Sequence, residues 1–323
     1  MPQSQAPSTL NDALVICNST VEQCWARADA AAMHYQRRHR VIVDVIAVTG
    51  TLAVVLGTVT LSQPIGSLAV RVSEAVAAAA AIVAVILGLW AGYQRNWILE
   101  RHKAERLRLI QYRALRRFVG EAGAEIDAWA LTLDQEIATI ERTSQDSLDQ
   151  WIAGEDLVFE EFNGSQLAPR SDVLVHDVVA HYCANRIARQ QVYFNDKARR
   201  NLAWDRRTRL VIPALFFFSV AAIIPGAILR LFAHTPASTA FITIAIVAPA
   251  IAAGVRLYRS AHEFARNSIR FRAKHVALHI LSERLENETS THVLLQDLEY
   301  AERLFEAEHR EWLRLMLDAE WYG

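Results

Sequence analysis

The residue patterns that could carry chemistry are few, and each one breaks on inspection. His262-Glu263 opens the His-Glu-x-x-His arrangement, in which two histidines one helical turn apart hold zinc and the glutamate acts as base. Arg266 stands where the second histidine is required, so this pattern cannot hold a metal. His176, Asp177 and His181 fall on one expected helix, but histidines five residues apart splay around it and read as surface residues. There is no glycine-rich phosphate loop, no Gly-x-Ser-x-Gly elbow and no Cys–His pair with local support. Cys17, Cys24 and Cys183 have neither metal-ligand spacing nor the look of a disulfide framework. The sequence therefore argues against an enzyme and implies no metal and no cofactor.

The polar residues that remain of interest sit inside apolar stretches. Asp44 is the one acid near the interior of such a stretch, and an acid there is a functional candidate by default. Arg40, four residues earlier, offers it a plain ion pair along the helix. Glu74 and Arg71 offer a similar local pair near the opposite surface. Thr51 and Thr58, seven residues apart, share one helix face beside Gly50 and Gly57. That face reads either as a packing surface or, with Asp44, as the lining of a polar path. Ala80, Ala84, Gly88 and Gly92 make a ridge of small residues at four-residue steps.

Four apolar stretches position these residues: roughly 41–61, 68–93, 210–232 and 238–258. Each is near the ~20 residues that a bilayer core requires. They come as two hairpins, split at Pro64 and Gly66 and at Pro236. Pro213, Pro225 and Pro249 lie inside the last two stretches, where each frees a backbone carbonyl. The chain of 323 residues is 52% hydrophobic, with a net charge of −1 that speaks against a nucleic-acid partner. Arg37, Arg38 and Arg40 precede the first span; Arg95, Arg101 and Lys103 follow the second. Arg199, Arg200, Arg206, Arg207 and Arg209 precede the third; Arg256 and Arg259 follow the fourth. Only Arg71 and Arg230 lie toward the hairpin turns, so both termini and the long intervening helices are expected in the cytosol. The start of the chain lacks a cleavable-signal pattern, so insertion is expected to rely on the first internal span.

The fold class expected is an all-α membrane protein of four spans, arranged as two parallel-repeated hairpins with long cytosolic helical stalks. Residues 1–11 read as a disordered N-terminus, 12–162 as the first helix–hairpin–helix unit, 163–170 as a linker and 171–323 as the second unit. Gln36-Arg-Arg-His-Arg answers Asp205-Arg-Arg-Thr-Arg ahead of spans one and three, and Trp97–Arg117 answers Phe264–Arg284 after spans two and four. Expected stalk helices cover 12–40, running on into span one, then 94–119, 124–162, 173–209, 256–285 and 291–321. The stretch 94–118 is heavily basic and 121–161 almost wholly acidic. These blocks can pair with each other or a neighbouring subunit, or the basic one can meet anionic headgroups.

After the first hairpin, Trp97, Arg101, Glu105 and Arg108 stand at spacings that resemble the SLATT superfamily, the SMODS- and SLOG-associating two-transmembrane effectors. Tyr182, Arg186, Gln190, Tyr193 and Lys197 resemble the helix that precedes the second hairpin in tandem members. Arg101, Glu105 and Arg108 also form an ion-pair ladder on one helix face, and Trp97 is of the type that anchors helices at an interface. The resemblance implies a bacterial inner-membrane effector of antiphage defence that opens a pore or disrupts the membrane. With no fused sensor domain recognisable, the trigger is expected from outside the chain, as a nucleotide signal or a separate sensor protein. The partners expected are the lipid bilayer and further copies of the chain in a homo-oligomer. The alternative is a non-conducting membrane scaffold that anchors a partner sensor or enzyme; a transporter fits parallel repeats less well.

Overall fold

The computed structural model describes residues 10–62, 68–120, 126–153, 169–232 and 236–318. All regular structure among these residues is helical, and no strand occurs. The helices are α1 (Leu10–Cys17), α2 (Gln23–Ser62), α3 (Leu68–Trp90), α4 (Tyr93–Gly120), α5 (Ile126–Glu141), α6 (Gln145–Ala153), α7 (Asp172–Tyr182), α8 (Ala188–Phe232), α9 (Pro236–His262), α10 (Phe264–Asn287) and α11 (Thr291–Asp318). Four of the helical stretches are long and apolar enough to cross a membrane: Leu10–Thr60, Leu68–Trp90, Asp172–Phe232 and Pro236–Asn287. The protein is an all-α, multi-pass membrane protein. The 45 residues of α8 make a rod of about 67 Å, roughly twice the hydrocarbon thickness.

The expected helices form, with interruptions that the sequence reading did not place. The helix expected from residue 12 begins at Leu10, so Leu10 and Asn11 are already helical rather than part of a disordered tail. One π-helical turn, Asn18–Glu22, separates α1 from α2, and another, Cys183–Ile187, separates α7 from α8. The helix expected over 124–162 divides at Arg142–Ser144 into α5 and α6. Both helices that enter the spans run through without a break, whereas both that leave them are interrupted. Gly92, at φ 57°, separates α3 from α4, and Glu263, at φ 45°, separates α9 from α10. Glycine takes the left-handed conformation freely; at Glu263 it carries backbone strain. Asn267 steadies that break, its backbone N–H reaching the Glu263 carbonyl and its side chain the His262 carbonyl. The linker expected at 163–170 lies almost wholly outside the described residues, as do the hairpin turns around Pro64 and Gly66.

In space the chain forms two compact units, each drawing on both halves of the sequence. One, the stalk unit, takes in Met1–Arg37, Tyr93–Val192 and His275–Gly323; the other, the span unit, takes in Arg38–Gly92 and Tyr193–Lys274. In the stalk unit α4 is central and packs against α11, α5, α7, α6 and α1. Its buried positions, Ile98, Leu107, Ile110, Leu115 and Phe118 among them, cover more than one face. The Trp129 indole N–H donates to the Ala114 carbonyl at 2.9 Å and fixes α5 on α4.

The span unit packs through small residues. Gly88 of α3 lies against Ile42, and Gly254 of α9 against Thr51. Gly226 of α8 lies against Phe241 and Ile242. Apolar side chains such as Val54, Ile82, Phe217 and Ile224 point outward and are more than half exposed, the surface a lipid environment requires. Proline at 249 cannot donate to the carbonyl of Ala245, four residues back. The Ser219 hydroxyl from α8 donates to that carbonyl at 2.6 Å. Ser219→Ala is expected to lower the thermal midpoint of the full chain in detergent by the equivalent of about 1 kcal/mol. In a Pro249→Ala background, where the helix supplies its own donor, the same substitution is expected to cost little; equal losses in both backgrounds would contradict the pairing.

Candidate functional site

Three acids on α11, Glu299, Glu302 and Glu306, repeat at three and four residues and so share one helix face. They receive cations from α4 and from the π-turn before α8. Arg116 lies 3.1 Å from Glu299, while Arg113 donates to Glu306 at 2.6 Å and Arg310 reaches Glu306 at 3.0 Å. Between these pairs lies Glu302, buried, with Arg186 Nε 3.5 Å from its Oε1 and the Tyr182 hydroxyl donating to the same oxygen at 2.6 Å. The Arg186 guanidinium, 2% exposed, is stacked over Phe305 at 4.4 Å and lies 5.3 Å from the centre of the Tyr112 ring. Burial works against its charge, but Glu302 beside it holds the pKa above the ordinary arginine value. Among the described residues Arg186 Nε and Nη1 and Glu302 Oε2 reach no hydrogen-bond partner.

The ladder expected on α4 forms beside this pair. Glu105 is paired with Arg101 along the helix, with Arg108 Nη1 at 3.7 Å. Arg101 also reaches Asp29 of α2 at 3.0 Å, and Arg108 is stacked over Trp25 at 4.6 Å. Burial pushes the Glu105 carboxyl upward, but Arg101, Arg108 and Arg186 outweigh it and hold the pKa at about 2. Of the partners open to the basic block, acids of this chain take most of it. Arg117 meets Glu136 of the acidic block at 2.7 Å, but the larger share goes to α11, which the sequence reading did not select. The signal was present in the spacing of Glu299, Glu302 and Glu306. Trp97 packs edge-on against Trp312 beside the buried cluster of Ile98, Leu148 and Leu313.

The second patch divides between the units. Tyr182 and Arg186 enter the stalk network, while Tyr193 and Lys197 lie in the span unit, where Tyr193 meets Phe271 edge-on and Lys197 sits 5.5 Å from the Tyr193 ring centre. Gln190 is half-buried and bonds to nothing among the described residues. Its neighbour Gln191 donates to the Leu278 carbonyl at 3.0 Å and so ties α8 to α10.

Within the span unit the acid that gathers cations is Asp205, which the sequence reading used only to align the repeats. It is 2% exposed. Arg259 donates to Oδ1 through Nε at 3.1 Å and Nη2 at 2.7 Å, and Arg209 reaches Oδ2 at 2.6 Å. This clasp joins the foot of α8 to the foot of α9. The first hairpin has Gln36 in the aligned position, so only the second carries the carboxylate. Asp44, half-exposed, lies 3.4 Å from His262 Nε2, without hydrogen-bond geometry. Thr51 and Thr58 donate to the carbonyls of Ala47 and Val54 on their own helix. Glu74 takes a bond from the Thr60 hydroxyl at 3.0 Å and packs against Gly57, across the hairpin rather than along its own helix.

The family model described as SMODS and SLOG-associating 2TM effector domain 1 (SLATT_1) matches residues 182–312. The second hairpin carries the likeness to the SLATT superfamily. The SLATT match opens at Tyr182, and Tyr182 and Arg186 near its start bond to Glu302 near its end. Asp205 and Arg259 fall inside it; Trp97, Arg101, Glu105 and Arg108 fall outside. What matches is an effector domain of two spans that associates with SMODS and SLOG. No curated protein and no solved structure matches the chain.

No cluster of three or more metal-ligating side chains occurs among the described residues. Burial pushes the thiols of Cys17 and Cys183 up to about 12 and about 11, which favours their protonated form. His102 Nδ1 and His309 Nε2 lie 3.0 Å apart, stacked and buried beside Trp151. Burial, then each His102 neighbour in turn (His309, Arg106, Lys103 and Arg310), lowers His102 to about 2. Burial lowers His309 to about 4, with Glu105 and Glu306 opposing and Arg101 and Arg106 adding to the fall. Histidines held below their unfolded value of 6.5 weaken folding as the pH drops through that value toward the folded one. Glu105 adds a loss that begins near 4.5 and runs down to about 2. The thermal midpoint of the full chain in detergent is therefore expected to hold above pH 6.5 and fall on acidification toward about 4. His309→Gln should flatten that fall; a wild-type midpoint constant over the whole interval would contradict the burial of neutral histidines.

Proposed function

We propose that the chain is a membrane effector of bacterial antiphage defence, which opens a pore or disrupts the inner membrane when a signal reaches its stalk. The observation that carries this reading is that α8 runs unbroken from the π-turn of Arg186, past Asp205, through the third span. A helix without a break transmits rotation or tilt instead of absorbing it at a hinge. The likeness of residues 182–312 to a two-transmembrane effector domain supports the class of activity. The arginine distribution supports stalk helices and termini in the cytosol, where a nucleotide signal or a separate sensor protein could reach them. Two parallel hairpins per chain suit assembly of several copies around an axis along the membrane normal.

In this reading the signal disturbs the Arg186–Glu302 pair, α8 shifts, and the Asp205 clasp releases α9 from α8. One observation favours a second reading, a non-conducting scaffold for a partner sensor or enzyme. The hydroxyls of Thr51 and Thr58 are turned to their own backbone, and Thr51 packs against Gly254 of α9, which speaks against a polar path along that face within one chain. Potassium release from liposomes containing the full chain distinguishes the two. Asp205→Asn, which weakens both arginine contacts, is expected to raise release severalfold over wild type. No release from either protein, together with one stoichiometric partner recovered from cells, would favour the scaffold and sink the pore.

A further inference from the structure

The arginines of this chain fall into two populations. Arg101, Arg108, Arg113, Arg116 and Arg117 of α4 are paired with acids of the stalk unit, so the headgroup contact open to that block in sequence is not where most of its charge is directed. Those at the foot of α8 are different. Between Tyr193 and Arg209 the sequence carries Lys197 and five arginines against two acids, Asp196 and Asp205. Asp205 is buried and occupied by Arg209 and Arg259. Arg199 and Arg206 are seven residues apart, as are Arg200 and Arg207, so the two pairs share one broad face of the helix. The buried Asp205 and Thr208 lie on the opposite face, and all four arginines are exposed. Arg199, Arg200 and Arg206 have no hydrogen bond or ion pair among the described residues, and Arg207 lies 5.8 Å from the ring centre of Trp204. Asp196, one turn earlier, is the one acid on this face.

We infer that this face is a binding surface for the phosphate of anionic phospholipid headgroups. Position selects a lipid over a soluble phosphate. Arg206 and Arg207 stand four and three residues before Leu210, where the outward-facing apolar surface begins, with Leu210 71% and Phe217 69% exposed. That offset is about 5 Å along the axis, within a headgroup layer of roughly 5–7 Å per leaflet. Arg199 and Arg200 stand about 15 Å from Leu210 and act on the lipid through the surface potential rather than by contact. Trp204, 46% exposed and stacked on Phe264, supplies the aromatic that such an interface favours. Asp205 is buried on the opposite face and paired with Arg209 and Arg259, so it does not offset the positive field of the patch. The inference does not depend on whether the spans conduct.

Native mass spectrometry of the full chain in neutral detergent, with equal phosphatidylglycerol and phosphatidylcholine added, tests it. Phosphatidylglycerol is expected to be retained at least about fivefold over phosphatidylcholine, and the double variant R206Q/R207Q to bring that ratio down to about one. R206K/R207K should retain it, R199Q/R200Q should lower it less, and Arg189→Gln, an exposed arginine of α8 in the stalk unit, should leave it unchanged. Equal retention of the two lipids, an R206Q/R207Q preference equal to that of wild type, or displacement of the lipid by millimolar inorganic phosphate would each overturn the assignment.

Discussion

Glu302 is the group on which the stalk depends. A carboxylate with almost no exposure is tolerated only when a cation and hydrogen-bond donors are brought to it. Arg186 and Tyr182 come from a stretch more than a hundred residues earlier, and Phe305 and Tyr112 close around the guanidinium. Removing one member would strand the other, at a cost of about 3–5 kcal/mol. The same contact joins the two ends of the SLATT-matching segment, so the segment is closed by its least forgiving interaction. Around it, α4 and α11 face each other as a basic and an acidic surface, and apolar packing of α4 on α5, α6 and α7 completes the unit.

The span unit follows a different rule. Without a hydrophobic drive between helices in lipid, close approach and polar satisfaction do the joining. Gly88, Gly226 and Gly254 allow the approach, and Ser219 answers the carbonyl that Pro249 leaves open. Among the described residues, the charged junction of α8 with α9 is the Asp205 clasp at their feet. The helices that enter the spans are continuous and those that leave are broken, at Gly92 and Glu263.

The parts of this fold legible in sequence are those set by local composition. Four apolar runs near bilayer length, the stalk helices around them and the i, i+4 pairing of Arg101 with Glu105 need no knowledge of what packs where. The partner of the basic block was not legible, because acids at two distances along the chain could answer it and only tertiary packing chooses. Gly92 read as part of a packing ridge, since spacing does not distinguish a glycine that permits approach from one that permits a turn. Glu263 gave no signal at all; a left-handed glutamate is a product of its surroundings. Thr51 and Thr58 share a face in either setting, and whether that face meets water or Gly254 depends on α9. Asp205 was visible as a repeat position, but its role required Arg259 from the other side of the hairpin.

In the proposed function, the buried stalk pair governs a conducting state of the spans. Planar-bilayer recording of the full chain with Arg186 and Glu302 replaced together by methionine tests it most directly, because a matched apolar pair avoids stranding a charge. The expected result is discrete conductance with an open probability different from that of wild type. Identical open probability in the two proteins, or silence from both, would contradict it.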